Sequence, residues 1–321
     1  MRFTTIGRVV GWGLLAVGTV GVAAHYVGLT SNLVARAASF TPILTICVGI
    51  AVLILLVSRA WVSAVVAVVV LAVGIAAQVP LYRGVAERES PSDITVMQAN
   101  IYLGQADPDA IVSQIRDSGI DVLTVAELTE SAMSRLRAAG LDRELPYSYT
   151  EPREGGGGTG IYSRYPLSEQ QELRRFSLHN LRAVVDVPGA GRHAVFALHP
   201  IPPYPEPSWK WAGELSKLGD ILTAERLPLI VGADFNSTYD HRQFRELLAG
   251  ARLDGTSGSA QLVDAAEHLG AGIVPTYPAN RWYPPFLALD RVLARGCVPT
   301  SFRRVDLPGS DHDGVIATIR A

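Results

Sequence analysis

With 321 residues the chain has room for one large domain or two ordinary ones, and its 28 basic and 30 acidic side chains are spread unevenly. Residues 1–86 hold no Asp or Glu and only five basic residues, Arg2, Arg8, Arg36, Arg59 and Arg83; removing those five leaves 23 basic against 30 acidic residues downstream, a formal balance of −7. An acidic body with two lysines, Lys210 and Lys217, and no basic run is poorly built to grip duplex DNA, and two cysteines, Cys47 and Cys297, offer neither a disulfide framework nor a thiolate metal site.

Three apolar stretches fill the front, at about 9–28, 40–57 and 60–79. Each is long enough to cross a hydrocarbon core of about 30 Å, which predicts three transmembrane helices. Ala35-Arg36-Ala37-Ala38 loosely resembles a small-residue cleavage site, which would make the first stretch a signal peptide; the two later stretches predict an anchor in either case. Ser58 and Arg59 leave room only for a tight helical hairpin between the second and third. Placing Arg2, Arg8 and Arg59 in the cytoplasm satisfies the positive-inside tendency, and three crossings then carry the body outside; Arg83 and Arg88 oppose that orientation. The expected organisation is an anchor at 1–86, a linker at 87–92 within a polar connector running from Gly84 to Ser92, and a catalytic body at 93–321.

In the body, Ile94 to Met97 reads as a first strand ending in Gln98-Ala99-Asn100. Asp107 is a natural N-cap with Pro108 behind it, Ile111 and Ile115 hold helical spacing, and Gly119 marks the stop. Val122 to Val125 makes a second strand whose end carries Glu127, so the body begins as a βαβ unit with polar groups at both strand ends. The glycines 155–158 do not lie between a strand and a helix start as a phosphate cradle would, and a flexible loop is the expectation. Val184 to Val187 and Ala194 to Leu198 are further strands, the second delivering His199 to a Pro-rich tail that no sheet can continue. Ser208 is expected to cap a helix with Leu215, Leu218 and Leu222 on one face.

Leu227 to His241, reading L-P-L-I-V-G-A-D-F-N-S-T-Y-D-H, is the stretch around which the rest is organised. A β-branched apolar run predicts a buried strand that Gly232 breaks. Asp234 and Asn236 stand one residue apart, where an extended chain points both the same way; an Asx-rich turn is the plainer reading. Helices are then expected around His241 to Leu248 and near Ala260 to Leu269, with a loop through Gly258 between them. Phe286 to Ala294 contains Asp290, and Gly309 to Gly314 contains Asp311 and His312 before a closing apolar strand, Val315 to Ile319.

Asn100, Glu127, His199, Asp234, Asn236, Asp290, Asp311 and His312 thus all punctuate strand ends, which would gather them on one rim of a sheet. Q-A-N-I at 98–101, V-A-E-L at 125–128, S-R-Y-P-L at 163–167, L-H-P at 198–200, G-A-D-F-N at 232–236, L-D-R-V-L at 289–293 and S-D-H at 310–312 follow one another in an order that resembles the endonuclease/exonuclease/phosphatase superfamily, the DNase I-like metal phosphoesterases. The resemblance implies a four-layer α/β sandwich, two mixed sheets face to face with helices outside. It implies Mg2+, with Mn2+ as the alternative, held by Glu127 with Asn100 and Asp311 close by, as a hard cation prefers oxygen ligands. It further implies His312 as a catalytic imidazole oriented by Asp290, Asp234 and Asn236 positioning the attacking water, and His199 stabilising the phosphoryl group or protonating the leaving oxygen. Whether His312 or Asp234 takes the water's proton stays open. Ala126 stands where the family often has Gln, and Ala233 separates Gly232 from Asp234. No loop rich in Arg or Lys is present to follow a DNA strand.

The three-helix front resembles the membrane branch of that family, similar to the undecaprenyl-pyrophosphate phosphatases linked to glycopeptide resistance. A metal-dependent hydrolase at the outer membrane face, acting on a lipid-linked phosphate or pyrophosphate, is therefore the leading expectation. An extracytoplasmic nuclease or sphingomyelinase-like phosphodiesterase is the second, and a catalytically dead membrane scaffold the third. The expected partners are a phosphorylated small molecule or lipid and the membrane itself, with nucleic acid disfavoured. Tyr204, Trp209, Trp211, Trp282 and Tyr283 are candidates for an interfacial aromatic rim, for which core packing is the plainer account.

Overall fold

A computed structural model describes residues 2–88, 90, 93–250 and 261–321, with side chains from Thr4 onward. Ser92, Gly258 and Ala260 lie outside the described residues, so the end of the polar connector, the loop expected through Gly258 and the start of the helix expected at Ala260 do too. The front is α1 (Arg2–Tyr26), α2 (Asn32–Ser39), α3 (Thr41–Val57) and α4 (Trp61–Gln78), the last extended by a 3-10 turn at Val79–Tyr82. Two continuous helices, Thr4–Tyr26 and Trp61–Tyr82, are long and apolar enough to cross a membrane. The middle one of the three expected spans is a pair, α2 and α3, bent by 71°; the spans number two, or three if that pair counts as one. The bend was not foreseen because α2 is only eight residues long and follows from no apolar run.

Glycine sets how closely α1 and α3 approach. A Cβ on Gly18 would stand 2.3 Å from Val48 Cγ2 and 2.7 Å from the Leu44 carbonyl, and one on Gly11 would stand 2.7 Å from Leu55 Cδ2. Small residues along one helix face are what lets membrane helices pack backbone to backbone. The tight hairpin expected at Ser58 and Arg59 is present, Arg59 taking φ 53°, and Arg8 donates to the carbonyls of Ser58 and Arg59 at 3.2 and 3.4 Å. Arg8 and Arg59 therefore share one end of the anchor.

The body runs β1 (Ile94–Asn100), α5 (Pro108–Asp117), β2 (Val122–Ala126), α6 (Glu130–Ala139), α7 (Leu141–Glu144), β3 (Tyr147–Glu151), β4 (Thr159–Ser163), β5 (Leu167–Glu172), β6 (Leu181–Val187), β7 (Gly191–Leu198), α8 (Ser208–Ala224), β8 (Leu229–Asp234), α9 (Arg242–Gly250), β9 (Val263–Asp264), α10 (Ala265–His268), β10 (Asp290–Arg295), β11 (Val298–Val305) and β12 (Gly314–Arg320). Among the described residues these strands form two six-stranded sheets, in the orders β11-β12-β1-β2-β4-β3 and β5-β6-β7-β8-β10-β9. Each is mixed: β1 and β2 are parallel in one, β7 and β8 in the other, and the remaining neighbours are antiparallel. Alternate residues of the two sheets, such as Val96, Val122, Val195, Ile230, Val292 and Ala317, meet in an inner core. The opposite faces bury Met97, Leu123 and Ile316 under α5 and α6, and Phe196, Val231 and Leu293 under α8 and α9. Helix, sheet, sheet and helix stack as the four-layer sandwich expected.

Several local expectations change. Gly232 does not break β8; it continues to Asp234, and the missing side chain admits the other sheet, since a Cβ there would lie 2.0 Å from Thr124 Oγ1. The helix expected over 260–269 is a short strand followed by one turn, α10, among the described residues. Ser208 is the first residue of α8 rather than its cap, and Pro207 at the cap position cannot accept a bond by side chain. That bond comes from the anchor: Asn32 Oδ1 accepts the Ser208 N–H at 2.9 Å and Asn32 Nδ2 donates to the Glu206 carbonyl at 3.2 Å. Trp211 is core, 1% exposed, its ring edge-on to His241 and its N–H donated to Ser237 Oγ. It does not belong to the aromatic rim, whereas Trp282 is 94% exposed.

The anchor is fastened to the body at one seam. His25 Nδ1 and Gln78 Nε2 both meet Asp240 Oδ1 at 2.7 Å, bringing the ends of α1 and α4 to one buried carboxylate. Arg242 donates to the Tyr26 carbonyl, Gln243 to that of Gly28, and His241 Nε2 bonds the Ala35 carbonyl at 3.0 Å.

Candidate active site

Topology explains why scattered residues meet. The parallel pairs β1/β2 and β7/β8 run to the same rim, ending at Asn100, Glu127, His199 and Asp234. Strands antiparallel to them must start there: β10 opens with Asp290, registered opposite Asp234, and β12 begins two residues after His312, at Gly314. Glu127, His199, Asp234, Asn236, Asp311 and His312 line one cleft of about 700 Å3. Asn100 lies beneath it, donating to Glu127 Oε1 at 3.1 Å and to Asp234 Oδ2 at 3.0 Å, and Asp290 lies behind His312 at 2.8 Å from its Nδ1. All eight side chains singled out in the sequence are therefore brought together.

The backbone at this rim is strained where the chemistry is. Glu127 and Asn236 have φ of 61° and 50°, a region that costs an ordinary residue of order 1 kcal/mol or more and that clusters at functional sites. For Asn236 this means that strand alternation is not what aims it: its N–H donates to Asp234 Oδ1 at 2.8 Å in an Asx turn, and its amide donates to the Pro200 carbonyl at 3.0 Å. The plainer reading gives the local structure, and both side chains still face the cleft. The four-glycine run is likewise no free loop. Gly156 lines the cleft with φ 81°, and a Cβ there would stand 3.6 Å from the Glu127 carboxyl carbon; one on Gly158 would meet the Leu128 carbonyl at 1.9 Å.

Electrostatically the site has two ends. At one, His312 sits between Asp290 and Asp234, whose Oδ2 is 3.8 Å from His312 Nε2 and 3.7 Å from His199 Nε2. Those gaps suit a bridging water or phosphoryl oxygen. Burial opposes charge on His312, but Asp290 and Asp234 outweigh it and hold the imidazole up at about 10. At the other end, burial pushes the Asp311 carboxyl up to about 6, opposed by the His312 charge and reinforced by Glu127 and Asp234. Glu127 Oε2 accepts the Leu103 N–H at 2.7 Å. Asp290 Oδ1, Asp311 Oδ1 and His199 Nδ1 are buried with no protein partner among the described residues.

Asp234, Asp290 and His312 each place one ligand atom within 4.8 Å of the others, a grouping able to hold a metal ion. Asp290 is already spent on the His312 N–H, however, so the trio is wired as carboxylate, imidazole and carboxylate. Asp290 Oδ1 and Asp311 Oδ1 are both buried without a donor; Asp311 shares its end of the cleft with Glu127, whose charge raises its carboxyl, and a pair of mutually repelling carboxylates with no imidazole between them fits a hard divalent cation better.

Supporting residues were missed in the sequence. Asn180 Oδ1 accepts the His199 N–H, Thr276 Oγ1 accepts those of Leu289 and Asp290, and Ser310 Oγ donates to the Asn100 carbonyl while accepting the His312 N–H. Ser310 lies inside the S-D-H motif; Asn180 and Thr276 carry no signal of their own. The anchor contributes as well: Ala35, Arg36, Ser39 and Phe40 form one wall of the cleft.

The sequence model of the Endonuclease/Exonuclease/phosphatase family matches residues 97–312. No curated protein matches the chain. Among solved structures, D. rerio TDP2 complexed with single strand DNA product is 17% identical with a TM-score of 0.56, over 72% of this chain and 100% of that one. An endonuclease/exonuclease/phosphatase from Beutenbergia cavernae DSM 12333 is 21% identical with a TM-score of 0.52, over 71% and 72%. Another from Bacteroides vulgatus is 16% identical with a TM-score of 0.52, over 71% and 98%. At such identities the likeness to these structures is one of fold.

Proposed function

The chain belongs to the endonuclease/exonuclease/phosphatase family, whose members hydrolyse phosphoester bonds with divalent metals, and from that premise we propose that it is a Mg2+-dependent phosphoesterase acting at a membrane face on a lipid-linked phosphate or pyrophosphate. The observation that carries the substrate class is the shared wall. The carboxy ends of α1 and α4 and the whole of α2 are on the body side of the anchor, and α2 and its junction with α3 close the cleft with Ala35, Ser39 and Phe40. A cleft walled by the anchor opens where lipid headgroups lie, and Leu103, Leu178, Pro202, Pro203, Leu287 and Leu289 give it apolar flanks. Among the described residues Arg36 is the one Lys or Arg in its lining, too little positive charge to track a DNA backbone.

A divalent cation held by Glu127 and Asp311, with Asn100 alongside, would polarise a phosphoryl oxygen and offset charge on the leaving oxygen. Asp290 fixes the ring orientation of His312, as a carboxylate does for a catalytic imidazole. Asp234, between the two imidazoles and oriented by Asn100, would take a water's proton, while His199 Nε2, 3.7 Å from Asp234 Oδ2, would meet a substrate oxygen in the same gap. Asn236, tied to Pro200, fills the remaining side. Arg8 and Arg59 at the far end of the anchor favour that end as cytoplasmic, which would set the catalytic body outside.

The test is turnover by the purified full chain with Mg2+ on a polyprenyl pyrophosphate, a phosphodiester lipid and DNA. Lipid phosphate release lost in Glu127→Ala and His312→Ala is the expected result. Fast DNA cleavage with no lipid turnover would replace the proposal with the nuclease reading, and a cellular phenotype indifferent to both substitutions would favour a scaffold.

A further inference from the structure

Among the described residues the permanent positive charge lining the cleft comes from the anchor, at Arg36. Arg36 stands on the exposed side of α2, its guanidinium carbon 3.5 Å from the centroid of the Tyr204 ring. The helix that carries it is pinned at both ends: Asn32 caps α8, and Ala35 and Ser39 contact His241, by a bond of 3.0 Å to the Ala35 carbonyl and one of 3.4 Å to Ser39 Oγ. Among the described residues no carboxylate pairs with Arg36, although Glu127, Asp234 and Asp311 line the same cleft. An arginine stacked on an aromatic face is pre-organised with its N–H edge free. It therefore stands apart from the inner acidic end as a second point of anion recognition. A ligand with a single phosphate at the inner end would leave that cation unanswered; a ligand with two linked phosphates answers both.

Resting on the lipid phosphoesterase reading, we propose that Arg36, held on Tyr204, is a specificity-determining residue for a lipid-linked pyrophosphate, binding the phosphate that stays with the lipid while the terminal phosphoryl group occupies the inner end. In the reaction water oxygen adds to the terminal phosphorus, the bond from that phosphorus to the bridging oxygen breaks, and its electron pair leaves with the bridging oxygen. The products are the lipid monophosphate and inorganic phosphate, and the water's proton passes to the Asp234 and His312 side. The leaving phosphate gains charge beside Arg36, so the guanidinium acts in the transition state as well as in binding.

The experiment uses the full chain in lipid nanodiscs with Mg2+, comparing farnesyl diphosphate, farnesyl phosphate and p-nitrophenyl phosphate as substrates, with calorimetric binding of methylenediphosphonate and inorganic phosphate alongside. Arg36→Ala is expected to lower kcat/KM for the diphosphate and to weaken methylenediphosphonate binding by about tenfold to a hundredfold, the worth of a charge-assisted hydrogen bond. Both monophosphates, inorganic phosphate and the melting temperature are expected to hold steady, and Arg36→Lys is expected to recover part of the loss. Equal losses on all substrates, or a diphosphate response indistinguishable from wild type, would overturn the assignment while leaving the lipid reading in place. A wild-type protein that turns over neither farnesyl compound would sink the lipid reading, and this inference with it.

Discussion

Asp290→Asn is the substitution that probes the catalytic arrangement most sharply. Asp290 is 2% exposed and its Oδ2 lies 2.8 Å from His312 Nδ1, while the Asp290 N–H is held by Thr276. Asparagine keeps the shape but loses the charge and presents an N–H where an acceptor is needed, which favours the wrong imidazole tautomer. Comparable carboxylate-to-amide changes behind a catalytic histidine cost about 10^4 in kcat, and with Asp234 still beside His312 the expected loss is about 10^2 to 10^4, or about 3–5 kcal/mol of transition-state stabilisation. KM should change little, because Asp290 does not line the cleft. Stability supplies an independent readout. A histidine whose pKa is about 10 when folded, against 6.5 unfolded, contributes stability that is complete below about pH 6.5 and lost as the pH rises through about 10. Removing the Asp290 charge takes away much of that contribution at pH 7 to 8, whereas burial holds the Asp290 carboxyl itself above its usual range and the amide is spared that cost; breaking a buried pair costs about 3–5 kcal/mol, and the net loss for the isosteric amide should fall well below that. Steady-state kinetics and thermal unfolding of the purified chain read both effects. A kcat within threefold of wild type, or a loss confined to KM, would refute the orienting role.

Three further outcomes are expected. Glu127→Gln should abolish Mg2+-dependent turnover and remove the rise in melting temperature that Mg2+ gives the wild type; a Mg2+-induced rise kept by the variant would contradict this. Asn32→Ala should cost about 1 kcal/mol, the worth of a helix cap, although Asn32 belongs to the anchor and α8 to the body, and an unchanged melting temperature would count against the seam. Burial lowers the fully buried His241 to about 4, so the seam should weaken as the pH falls below about 6.5, by about 2 kcal/mol at pH 5; His241→Gln should flatten that acid limb of a melting-temperature profile.

The rim of the candidate site was legible in the sequence because each of its residues follows or precedes an apolar run, and apolar runs in an α/β chain are strands whose ends share a rim. The reason given for Asp234 and Asn236 was nonetheless incomplete: alternation along an extended chain does not aim them, since Asn236 takes a left-handed backbone that only the Asx turn explains. Gly232 and the glycines 155–158 look alike in a sequence as breakers or flexible links. Their purpose lies in long-range approach, to Thr124 across the sheets and to Leu128 and Glu127 at the site, and no local pattern reports such distances. The same limit hid α2. Eight residues with one arginine carry too weak a periodicity to stand out beside three long apolar stretches, and their worth comes from contacts about 170 to 200 positions away, with Glu206, Ser208 and His241.

Where a divalent cation binds decides between the two ends of the cleft. Crystals of the full chain grown with Mn2+, measured at the manganese absorption edge, should give one anomalous peak at about 2.0–2.3 Å from carboxylate oxygens of Glu127 and Asp311. A peak enclosed by Asp234, Asp290 and His312, or none in the cleft, would contradict it.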